Sequence, residues 1–72
     1  MGRTIGSMLL EQEWKESDVS MTIFARRLGS HRVTVFRWIR GDSTPGTQKV
    51  LLMQERMGIP APSWSQPLKE ES

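Results

Sequence analysis

Apolar residues recur along most of the chain at intervals of three and four, with polar and charged residues between them. That is the period of helices burying one stripe each. Ile5, Leu9, Leu10 and Trp14 predict a first helix over about residues 4–17, capped by Thr4 or Ser7 and ended at Ser17-Asp18, with Val19 turned into the core. Ser20 stands before a second helical stretch, residues 21–28, and Gly29 after it, the bracketing expected of an N-cap serine and a C′ glycine. Phe24, Ala25 and Leu28 share one face of it, leaving Arg26 and Arg27 outward. A third helix, Arg32–Arg40, buries Val35, Trp38 and Ile39 and stops at Gly41. The run Val33-Thr34-Val35 is also compatible with a strand, but the stripe continues at helical spacing. Residues 41–46 read as loop. A fourth helix, Thr47–Met57, carries Val50, Leu51, Met53, Gln54 and Met57 and closes at Gly58 and Pro60. Beyond Ile59 the period disappears, and Pro60, Pro62 and Pro67 predict an extended segment anchored by Trp64 and frayed through Lys69-Glu70-Glu71-Ser72. Trp64 either folds back on the first and fourth helices, the preferred expectation, or docks on a second subunit.

The fold class that follows is all-α: a compact bundle of four or five short helices with an extended Pro/Ser-rich C-terminal tail, divided as a domain over residues 1–59 and a tail over 60–72. At 72 residues this is one small domain. A core this size seldom supplies more than about 3–5 kcal/mol, so an additional stabiliser is expected. With no Cys there is no disulfide, thiolate metal site or thiol chemistry, and His31 is the lone histidine. The expectation is therefore no metal, no cofactor and no enzymatic activity, with self-association as the stabiliser. Met8-Leu9-Leu10 is too short for a secretory or membrane-spanning segment, and Gly6 stands where a myristoylation signal wants Ser or Thr. The reading is a cytoplasmic protein without membrane partners.

The net charge of +2 is small, but it is unevenly distributed. Glu11, Glu13, Glu16 and Asp18 against Lys15 make residues 4–18 net −3. Residues 19–41 hold Arg26, Arg27, Arg32, Arg37 and Arg40 and no acid, net +5. Residues 42–72 sum to −1, and Arg3 adds the last +1. A merely solvated face mixes signs. An acid-free block whose basic residues are all arginine, the side chain whose planar fork suits phosphates and guanine edges, points to an anionic partner, with nucleic acid ahead of membrane.

The second and third helices, joined after a glycine by a short turn, have the form of a helix-turn-helix reader of DNA. Ala25 permits a close helix crossing, Gly29 supplies the left-handed turn, and burying Val35, Trp38 and Ile39 turns Arg32, Val33, Phe36 and Arg37 outward. The stretch from Phe24-Ala25-Arg26-Arg27-Leu28-Gly29 through Thr34-Val35-Phe36-Arg37-Trp38 to Gly41 resembles the helix-turn-helix of the phage Cro and repressor (Xre) family. That family's pattern is Leu-Ala-x-x-Leu-Gly-Val-Ser-x-x-Thr-Val-x-x-Trp-x-x-Gly. The similarity extends more loosely from Leu10 to Trp64, about three quarters of the chain.

The resemblance implies base reading by Arg32, Val33, Phe36 and Arg37, with Arg32 and Arg37 on guanine and Val33 or Phe36 on a thymine methyl. It implies backbone contacts by Arg40, Thr34 and the start of the second helix at Met21 and Thr22. The chain departs from the pattern at Met21, where the family usually has Gln, and at His31, where it has Ser or Thr. His31 is expected to serve as a substitute cap touching the DNA backbone, and Met21 is alternatively a packing residue. Trp14 and Trp38 read as core. The partner expected is double-stranded DNA, bound by a homodimer acting as a repressor or autoregulator in a bacterial or phage-infected cell. The alternatives are an antitoxin clamping a protein partner with its tail, the DNA-binding subunit of a recombination system, and a protein-interaction adaptor on the same scaffold.

Overall fold

A computed structural model describes residues 2–68. Its helices are α1 (Ile5–Ser17), α2 (Met21–Arg27), α3 (Arg32–Arg40) and α4 (Thr47–Met57), followed by a 3-10 turn at Ala61–Ser65. The four helices are those the apolar period predicted, and the 3-10 turn is a short fifth element. The fraying expected of residues 69–72 lies outside the described residues.

Local chemistry sets the helix ends. Thr4 Oγ1 accepts from the Ser7 N–H at 3.1 Å at the head of α1, and Ser20 Oγ accepts from the Ile23 N–H at 3.3 Å at the head of α2. Asp18 ends α1 in the left-handed region, φ +56°, a conformation that Asp tolerates better than most non-glycine residues.

The core gathers Leu10 from α1, Phe24, Ala25 and Leu28 from the α2 segment, Val35, Trp38 and Ile39 from α3 and Met53 from α4. Ala25 is buried on α2, which packs against α3, and so small a side chain suits a close approach of helices. Trp14 is half-buried against this cluster, and Val19 packs there too, as expected. On α4 Leu51 departs from its expected place, being 53% exposed. Met53 defines the buried side of α4, and at about 100° per residue Leu51 lies nearly opposite it.

The segment after α4 is more closely packed than an extended tail. Ile59, Ser63 and Trp64 are buried in the same core, so the expected boundary between residues 59 and 60 falls within a packed region. Trp64 takes the fold-back of its two expected places: its indole lies over Gly6 of α1, whose added Cβ would stand 2.5 Å from Trp64 Cδ2. The chain then runs extended beside its own beginning. Thr4 and Pro67 form an antiparallel bridge, the Ile5 N–H donates to the Gln66 carbonyl at 2.9 Å, and the Leu68 N–H donates to the Arg3 carbonyl at 3.0 Å.

Candidate nucleic-acid interface

The turn between α2 and α3 is built from backbone hydrogen bonds around a left-handed glycine. Gly29 has φ +67°, and the N–H groups of Gly29 and Ser30 donate to the carbonyls of Arg26 and Ala25, each at 3.0 Å. A β-carbon at that φ would be strained, which is why glycine is needed here. Two cations from α4 complete the end of α2. Lys49 Nζ donates to the Leu28 carbonyl at 2.6 Å and the Gly29 carbonyl at 3.2 Å, and Arg56 Nη1 donates to the Arg27 carbonyl at 3.0 Å. They satisfy carbonyls that the helix leaves open, at the end where its dipole favours positive charge. Sequence reasoning missed this pair; its only trace is the spacing of two basic residues seven apart on one face of α4.

α3 is held from behind. Val35, Trp38 and Ile39 are buried, and the buried hydroxyl of Ser7 donates to the Trp38 carbonyl at 2.7 Å, pinning the helix near its C-terminus to α1. At about 100° per residue, Val33, Arg37 and Arg40 then point directly away from the core, Arg32 and Phe36 lie on one flank, and Thr34 lies on the other. Arg32, Val33, Phe36, Arg37 and Arg40 are all exposed, whereas Thr34 is half-buried.

Two shallow grooves involve residues of α3. One, of about 510 Å³, is lined by Thr22, Arg26, Gly29, Ser30, His31 and Arg32 between α2 and α3. The other, of about 680 Å³, is lined by Val33, Phe36, Arg37, Arg40 and Asp42. Arg26 thus joins the arginines of α3. In the sequence Arg26 reads only as outward, although it lies one turn from Thr22 in the acid-free block. Arg27 points elsewhere, into a recess with Glu13, Ser17, Arg56 and Met57. The +5 block of residues 19–41 therefore presents four arginines on the α3 side and one behind. Arg40 Nε lies 3.4 Å from Asp42 Oδ2, with the two side chains 71% and 50% exposed. So open a pair holds its partners only weakly.

Three residues of this surface are defined by their surroundings. Of the two expectations for Met21 the packing one holds: its side chain is buried, being apolar at the start of a helix whose inner face joins the core. His31 occupies the N-cap position of α3, but its side chain makes no capping hydrogen bond. A cap needs a short side-chain oxygen that folds back on the first turn, and the imidazole here is exposed instead. Phe36 is not a free-standing aromatic. Its ring meets that of Trp14 edge to face, with centroids 5.7 Å apart and planes at 79°.

Among the described residues no group of three or more His, Cys, Asp or Glu is placed to hold a metal ion, and no helix is long and apolar enough to cross a membrane. No family model, curated protein or solved structure matches the chain.

Proposed function

We propose that this protein is a sequence-specific, double-stranded DNA-binding regulator of the helix-turn-helix type, a small Cro-like repressor acting as a homodimer on an inverted repeat in the cytoplasm, at the nucleoid. The observation that supports it is the outer face of α3. Arg32, Val33, Phe36, Arg37 and Arg40 are exposed on a helix whose opposite face is buried, Arg26 stands beside them, and residues 19–41 hold no carboxylate.

α3 lies in the major groove, which is wide enough to admit a helix. Arg32 and Arg37 donate to guanine O6 and N7, and Val33 and Phe36 cover apolar features of the base edges. Arg26, Arg40 and Thr22 contact phosphates, as do backbone N–H groups at the start of α2. The nine residues of α3 span about 14 Å, enough for about four base pairs. So short a word is too common to mark one site, which is the physical reason for two copies with their reading helices about 34 Å apart. Occupancy at a promoter then excludes polymerase.

Selection of bound duplexes from a random pool tests the reading. The expected product is a palindromic consensus with half-sites about one helical turn apart. Failure to enrich any sequence, together with failure to shift any duplex at low salt, overturns it. Among the described residues the tail offers no comparable support for a protein clamp, because Trp64 is buried in its own chain.

A further inference from the structure

We propose that Trp14, on α1 and outside the helix-turn-helix, is a positioning residue that holds Phe36 as a reader of the 5-methyl group of a pyrimidine in the major groove. The inference rests on the DNA-binding reading above and assigns it a residue and a chemical feature of the target.

The argument begins with the indole. Trp14 Nε1 donates to the Val19 carbonyl at 3.0 Å, and its ring packs on the core, so both ends of the side chain are held. Val19 follows the left-handed Asp18 that terminates α1, so the acceptor's position is set by the way that helix ends. Phe36 meets this fixed indole edge to face at 5.7 Å. A phenylalanine on an exposed helix face otherwise samples several rotamers. The edge-to-face contact favours one of them.

The rest of the Phe36 ring remains open. Phe36 is 37% exposed and Val33, one helical turn before it, is 53% exposed, so the two present a small apolar surface. Arg37 and Arg40 line the same groove. An apolar spot beside guanidiniums suits a target that is anionic at its margin and apolar at one point. In the major groove that point is the C5-methyl of thymine, and 5-methylcytosine presents the same group. A ring held before binding covers the methyl without losing rotamer freedom on contact.

The test uses the full chain and the duplex obtained by selection, with each thymine replaced in turn by deoxyuridine and each cytosine by 5-methylcytosine. Removing the read methyl should weaken binding about fourfold per half-site, the effect of one buried methyl group. Phe36→Ala should bind the thymine and deoxyuridine duplexes equally. Trp14→Phe, which loses the bond to Val19, should narrow the preference to under about twofold while leaving the salt dependence and the affinity for random duplex unchanged. A merely structural Trp14 would lower both duplexes alike. Phe36 is exposed, so its variant leaves the core intact and remains informative if Trp14→Phe fails to fold. A wild-type protein that selects a consensus yet ignores every methyl overturns this assignment and leaves the DNA-binding reading standing. A preference that survives in Phe36→Ala also overturns it. A protein that selects no duplex overturns both.

Discussion

At Gly6 a single hydrogen atom stands where any other residue would place a carbon. The nearest atoms to an added Cβ all belong to the Trp64 indole, at 2.5 to 2.9 Å. Gly6→Ala should displace that ring from the core and destabilise the protein by about 1–3 kcal/mol. Thermal unfolding and a red shift of tryptophan emission measure it, and an unchanged melting temperature would contradict the packing. Nothing in the sequence marked Gly6, because its partner lies at the other end of the chain. On the reading face the distinctions are chemical. Arg32→Ala or Arg37→Ala should cost about 1–3 kcal/mol of binding and relax preference at one base pair, whereas Arg40→Ala should weaken specific and random duplexes alike. Equal losses on both kinds of DNA for all three would contradict the roles assigned to Arg32 and Arg37. The outward arginines were legible because a buried stripe at helical spacing fixes the opposite face. The contact of Phe36 with Trp14 was not, since it depends on where another helix lies, and the burial of the Met21 side chain was legible only as one of two alternatives.

The helices themselves are nearly self-describing. Ser20 before α2, Gly29 after it and Gly41 after α3 act within a turn of where they stand, so their meaning does not depend on the fold. Ser20→Ala should cost about 1 kcal/mol through loss of the cap on Ile23. The other end of α2 is different, because its carbonyls are satisfied by Lys49 and Arg56 across the bundle. Lys49→Met keeps the aliphatic stem and removes the charge and donors. It should destabilise by about 1 kcal/mol, read as a fall in melting temperature of about 4–8 °C for a domain this small. The loss should be selective, with amide exchange quickening at the C-terminal end of α2 and in the turn to α3 before it does in α1. A uniform loss of protection would show that Lys49 supports the whole bundle instead of that corner. His31 gives the converse lesson. The cap position was legible, but whether its side chain performs the capping is decided by reach, and the imidazole makes no such bond.

Over the whole molecule the charges act together. With about four phosphates contacted per half-site, the log of affinity should fall against the log of salt concentration with a slope near −7 for the dimer. Titrations by fluorescence anisotropy at several salt concentrations measure it, and a nearly flat line would rule out the arginine face as a phosphate-binding surface. The sequence by itself determined the four α-helices, their ends apart from the choice between Thr4 and Ser7 as the first cap, and the acid-free basic block of residues 19–41. Those properties follow from local periodicity, from caps acting within one turn, and from composition. Only the tertiary structure decided that Arg27 turns away from the other four arginines, that Arg26 joins the α3 side, and that Trp14 reaches Phe36. It also closed Trp64 over Gly6, bringing residues 66–68 beside residues 3–5. Each of these depends on how helices cross and which side chains meet across the crossing. That is set by the shape of the packed core, which no spacing along one strand of sequence encodes.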